Sequence, residues 1–137
     1  MSDMRRANPE GRDILVVDDS RSMRMFITKT LEEAGYSCDQ AEDGNQGLLK
    51  CLKHRYRLVL SDYDMPGVNG MNFVTRLRAA EKTRDIPIIM ITARGDAESV
   101  REAVKVGLNG YIVKPFQAPQ LLAKVRSLLP LRPGAPA

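Results

Sequence analysis

The chain has 137 residues, enough for one core of ordinary size and too few for two such domains. Hydrophobic residues make up 43% and charged residues 28%, the balance of a chain that folds, which excludes a disordered or fibrous reading. The formal net charge is +4, but Lys and Arg are scattered from Arg5 to Arg132 without a basic run and interleaved aromatics, so no nucleic-acid partner is expected.

Residues 1–12 are polar, with Pro9 and Gly11, and their arginines are not followed by the apolar stretch of a signal peptide. They read as an N-terminal tail, and the proline-rich residues 130–137 read as a C-terminal one. No segment has the length and apolarity of a membrane span. The expectation is a cytoplasmic protein with no membrane insertion, in which Cys38 and Cys51 are reduced structural thiols.

Between the tails, over 13–129, short apolar runs alternate with segments of helical period. Ile14 to Val17 is an unbroken apolar run. Met23, Phe26, Ile27, Leu31 and Ala34 then share one helical face up to Gly35. Tyr36 to Ala41 is a weaker strand of mixed polarity, followed by a helix after Gly44 with Leu48, Leu49 and Leu52 as its apolar residues. His54, the single histidine, reads as a solvated surface residue near the end of that helix. Leu58 to Leu60 is the third strand, with Phe73, Val74 and Leu77 on the helix behind it. Pro87 to Ile91 precedes Val100, Ala103, Val104 and Gly107, and Tyr111 to Val113 precedes Pro119, Leu121, Val125, Leu128 and Leu129. Met23, Met25 and Met90 read as packing residues.

Five strands alternating with five helices imply βα units around a parallel sheet. Strands covered on both faces read as continuous apolar runs, and the first, third and fourth do so. The second and fifth are shorter or more polar and belong at the edges. The expected fold class is therefore α/β, a flavodoxin-like (βα)5 doubly wound sheet of order 2-1-3-4-5, with any ligand beyond the carboxyl ends of the strands.

The residues at those ends are Asp18 and Asp19, Asp62 and Asp64, Thr92 with Ala93, and Lys114 with Pro115. Several carboxylates gathered on one rim repel one another and become tolerable around a cation. Mg²⁺ suits such a set, because it takes one or two carboxylates together with waters and phosphate oxygens. A carboxylate can attack phosphorus to give an acyl phosphate, provided other groups hold the phosphoryl oxygens. Lys114 is a cation on a long stem and Thr92 carries a hydroxyl donor, so both suit that task.

The segments LVVDDS-SMR, AEDG, SDYDMPGVNGM, ITAR and GYIVKPF occur in this order over Ile14 to Leu129. Together they resemble a response-regulator receiver domain of the CheY-like type. The resemblance implies that Asp62 is the phosphoacceptor and that Asp19 and Asp62 give carboxylate oxygens to Mg²⁺. It also implies that Asp18 acts through water and that the backbone carbonyl of Asp64 completes the metal ligands. Lys114 would contact the phosphoryl group, and Thr92 and Tyr111 would be the switch residues. The implied partners are a histidine kinase or histidine phosphotransfer protein as donor and a downstream target protein, with the chain acting as a monomer. The target would touch exposed residues near Val100, Val104, Tyr111 and Gln120, reached when Tyr111 turns inward. The resemblance further implies a cis Lys114-Pro115 bond, whereas the residues alone favour trans. Asp64 and Arg94 lie two residues beyond Asp62 and Thr92 and are expected to set the lifetime of the phosphoryl group.

Blander and rival readings exist for these residues. Asp18 and Asp19 could merely cap the first helix, and Asp62 to Gly67 could be only a turn. A phosphohydrolase of the haloacid dehalogenase type also carries a DxD after a strand. There, however, the nucleophile follows the first strand and a Thr or Val stands where this chain has Pro66. A nucleotide-binding domain would need a glycine-rich loop motif that is missing here. A receiver that only docks partners, or one that serves as a phosphate sink or shuttle, is the remaining alternative.

Overall fold

The computed structural model describes residues 13–131, so both expected tails lie mostly outside the described residues. Its elements are β1 (Ile14–Val17), α1 (Arg21–Glu33), β2 (Cys38–Ala41), α2 (Gly44–Lys53), β3 (Leu58–Asp62), α3 (Gly70–Ala79), β4 (Ile88–Thr92), α4 (Ala97–Lys105), β5 (Gly110–Val113) and α5 (Ala118–Leu128). The five strands form one parallel sheet of order β2-β1-β3-β4-β5. The expected α/β class and order are observed, with the two weakly apolar strands at the edges.

β1, β3 and β4 are buried along their whole length, which is why their sequences lack alternation. Successive side chains serve opposite faces of the sheet. Ile14, Val16, Leu58, Leu60, Ile89 and Ile91 pack with Ile27 and Leu31 of α1 and Leu121 and Val125 of α5. Leu15, Val17, Val59, Ile88 and Met90 pack on the other side with Cys51, Phe73, Val74 and Leu77. Each fully buried Leu, Ile or Phe contributes about 1.5–3 kcal/mol.

Four helices start at a residue whose side chain accepts from an amide of the first turn: Ser20 from Met23, Asp43 from Gln46, Asn69 from Asn72 and Asp96 from Ser99. The β–α turns at the carboxyl end of the sheet are thereby closed locally. Gly70 opens α3 against β3, and a Cβ there would collide with the carbonyl oxygen of Asp62.

Several helical faces differ from those expected. α2 buries Gly44, Gly47 and Cys51, while Leu49 and Leu52 are 58% and 52% exposed and Leu48 is half-buried. The helix comes so close to Phe73 and Val17 that a Cβ on Gly47 would lie 3.0 Å from the Phe73 ring, so small residues occupy the contact and the leucines are turned away. On α1 the inner stripe is Arg24, Ile27, Thr28 and Leu31. Met25 is 51% exposed instead of packing, and Phe26 is 43% exposed, set against Phe116 with ring centroids 6.0 Å apart. α4 buries Ser99 and Ala103, with Val104 outside.

His54 is half-buried at the C-cap of α2, its ring edge-on to Tyr56 at 6.1 Å, because the chain turns there into β3; it is not the solvated residue expected. Cys38 and Cys51 are buried and not disulfide-bonded, and burial pushes the Cys51 thiol up to about 12. Lys114-Pro115 is cis, as the resemblance implied and against the trans bond favoured by the residues alone. Among the described residues, no helix is long and apolar enough to cross a membrane.

Candidate functional site

The parallel register brings the strand ends level. Val17 pairs with Ser61, Asp62 with Ile91 and Thr92 with Val113, so the residues that follow meet along one edge of the sheet. Asp18, Asp19 and Asp62 are brought together there, each with a carboxylate oxygen within 4.8 Å of the others. Lys114 reaches over from the end of β5, its Nζ 3.4 Å from Asp62 Oδ1 and 3.9 Å from Asp18 Oδ2.

Asp18 and Asp62 are almost wholly buried, at 1% and 7% exposure, whereas Asp19 is open to solvent. Burial pushes the Asp18 carboxyl above its ordinary value; the amide of Ser20 opposes this, and the Asp62 charge adds to it. Asp62 is raised for the same first reason, with Lys114 pulling in the other direction. One ammonium thus faces three carboxylates, and Asp18 Oδ2 is buried without a hydrogen-bond partner among the described residues. An orphaned, buried carboxylate oxygen beside two further carboxylates fits a hard divalent cation such as Mg²⁺.

The far side of the site is a connected group. Thr92 is fully buried, and its Oγ1 accepts from the amide of Arg94 at 3.1 Å. The carbonyl of Arg94 accepts from the Tyr111 hydroxyl at 2.5 Å. The Arg94 guanidinium pairs with Asp64 at 2.9 Å and lies over the Tyr63 ring, 4.3 Å from its centroid. This pair raises the Arg94 pKa, first through the hydrogen bond and then through the charge of Asp64. Tyr111 is half-buried and packs against the core.

Seven of the eight expected site residues therefore stand at this edge: Asp18, Asp19, Asp62 and Lys114 around the acidic centre, Asp64 and Arg94 on the loops after β3 and β4, and Thr92 at the end of β4; Tyr111 lies further back, within β5, and reaches the group through the Arg94 carbonyl. Sequence reasoning missed Arg24 and Tyr63. Arg24 is 9% exposed and donates to the carbonyl of Asp18 at 2.8 Å. An arginine three residues before Ile27 and seven before Leu31, on the stripe of a helix that faces the sheet, was the clue available.

The response regulator receiver domain pattern matches residues 14–126. Chemotaxis protein CheY-3 of Vibrio cholerae is 39% identical over 113 residues, covering 82% of this chain and 87% of that protein. The phosphate regulon transcriptional regulatory protein PhoB of Pseudomonas aeruginosa is 39% identical over 119 residues, 87% of this chain but 52% of that protein. The chain thus spans about half the length of that regulator. Among solved structures, the chemotaxis response regulator CheY4 of Vibrio cholerae has a TM-score of 0.81 at 37% identity, over 85% of this chain and 97% of that one. The match runs across every element that carries the acidic edge, and the chain belongs to the response regulator receiver domain family, as a CheY-like member.

Proposed function

We propose that this receiver accepts a phosphoryl group on Asp62 from a histidine kinase or histidine phosphotransfer protein, in a Mg²⁺-dependent reaction, and that the acyl phosphate switches the binding of a target protein. The observation that carries the reading is the placement of the Asp62 carboxylate, which ends a buried strand 3.4 Å from Lys114 and within 4.8 Å of two further carboxylates. Asp18, Asp19 and Asp62, with the carbonyl of Asp64, would hold the ion. When bound, Mg²⁺ supplies charge neutralisation for the phosphoryl oxygens and for the carboxylates around them.

An Asp62 oxygen attacks phosphorus, the bond from phosphorus to the donor histidine nitrogen breaks, and the electron pair returns to the imidazole. Lys114, already beside Asp62, neutralises the phosphoryl oxygens in line with its charge. Thr92 then has an acceptor for its hydroxyl, which currently accepts from the Arg94 amide. Moving Thr92 toward the phosphoryl group transmits a shift through Arg94 to Tyr111, whose hydroxyl is bonded to the Arg94 carbonyl. Hydrolysis reverses the modification when water attacks phosphorus and releases phosphate. The Asp64–Arg94 pair stands beside the path of that water and is the part of this site that tunes lifetime.

Fluorine NMR with beryllofluoride, a phosphoryl mimic, tests the reading. Bound-fluoride resonances are expected for wild type with Mg²⁺, and for neither wild type without Mg²⁺ nor Asp62→Asn. Equal resonances in Asp62→Asn would reject Asp62 as the acceptor.

A further inference from the structure

The acidic centre hangs on the short turn between β1 and α1, so the aim of Asp18 and Asp19 depends on how the Asp18 peptide is held. Its amide donates to Ala41 O at 3.1 Å, its Oδ1 accepts from the Ser20 amide at 2.8 Å, and its carbonyl accepts from Arg24 Nη1 at 2.8 Å. Arg24 is 9% exposed, an uncommon position for a guanidinium. Its Nε donates to Gln40 Oε1 at 3.0 Å, and the Gln40 carbonyl in turn accepts from Lys50 Nζ. A line of polar contacts therefore runs from α2 through β2 and α1 to the Asp18 turn.

We propose that Arg24 is a positioning residue for the metal centre: its fork, anchored on Gln40, fixes the Asp18 carbonyl and so aims the Asp18 and Asp19 carboxylates at Asp62. This rests on the reading of the acidic cluster as a Mg²⁺ site. An apolar side chain of similar length would fill the α1–sheet interface without the cost of burying a cation, so packing alone does not account for arginine here. Two donors in fixed relative directions are needed to grip the Gln40 side-chain oxygen and the Asp18 carbonyl together, which a guanidinium provides and an ammonium does not. Partners that orient metal ligands from behind change metal affinity when removed, although they never touch the ion.

Calorimetric titration of MgCl₂ into wild type, Arg24→Met, Arg24→Lys and Gln40→Ala tests this, with circular dichroism confirming that each variant is folded. The expected result is that Arg24→Met weakens Mg²⁺ binding about tenfold. Arg24→Lys should recover part of that loss, because its ammonium still reaches the carbonyl, and Gln40→Ala should weaken binding about threefold. A folded Arg24→Met that binds Mg²⁺ like wild type overturns the proposal. Should Arg24→Met fail to fold, Gln40→Ala decides: weakened binding supports the relay and unchanged binding overturns it. A wild type that binds no Mg²⁺ fails the metal reading itself and takes this proposal with it.

Discussion

At the scale of single residues, the acidic centre is held against its own stability. The folded-state pKa values of Asp18 and Asp62 lie above the ordinary 3.8 because burial disfavours their charged forms. Between 3.8 and those raised values the folded protein binds more protons than the unfolded chain, so stability falls as pH rises through that window and the full cost is present above it. Asp96 has the opposite sign, since its hydrogen bonds from Ser99 depress its pKa, and its contribution is lost only as pH falls below 3.8. Without metal, Asp18→Asn should unfold at a higher urea concentration than wild type at pH 7, with the difference shrinking toward pH 4. A lower midpoint at pH 7 would mean that the charged form is favoured after all. Arg94 and Asp64 are both exposed, at 47% and 58% of their side chains, so their pair is screened by salt. Arg94→Ala should hasten dephosphorylation about two- to fivefold, and added salt should move wild type toward the variant. A release rate of inorganic phosphate unchanged by both would remove the pair from the path of the water.

At the scale of elements, what was legible in the sequence depended on whether an element's neighbours were apolar. β1, β3 and β4 announced themselves as unbroken apolar runs because both faces are covered. The ends of these strands could then be read off directly, which is why Asp18, Asp62 and Thr92 could be placed from the sequence alone. α2 was misread because close approach to Phe73 selects glycine and cysteine for the contact face, and hydrophobicity alone points to the leucines. α1 was partly misread because its inner stripe includes Arg24 and Thr28, whose polar atoms bond Asp18, Gln40 and the α1 backbone. Gly47→Val should therefore destabilise the protein by about 1–3 kcal/mol through overpacking against Phe73. Leu49→Gln, on the exposed side, should change stability by less than about 0.5 kcal/mol. Urea denaturation of the two variants checks this, and the reverse order would restore the leucine face to the core.

At the scale of the whole molecule, the sheet joins a chemical edge to a responsive surface. Thr92 ends β4, its neighbour β5 carries Tyr111, and Arg94 bonds to both through its amide and carbonyl. A charge-assisted hydrogen bond from Thr92 is worth about 1.5–3 kcal/mol, so the switch shifts a population by tens of fold and does not saturate it. Tyr111 ring resonances should move on adding Mg²⁺ and beryllofluoride to wild type and move far less in Thr92→Ala, with fluoride bound in both; equal movement would show that Thr92 is not the link. The switch as a whole depends on Asp62 as the acceptor. Its most direct test is to phosphorylate the protein with acetyl phosphate and Mg²⁺, reduce the product with borohydride, and locate the resulting homoserine by peptide mass spectrometry. Homoserine is expected at Asp62 alone, and homoserine at another aspartate with Asp62 unchanged would overturn Asp62 as the acceptor.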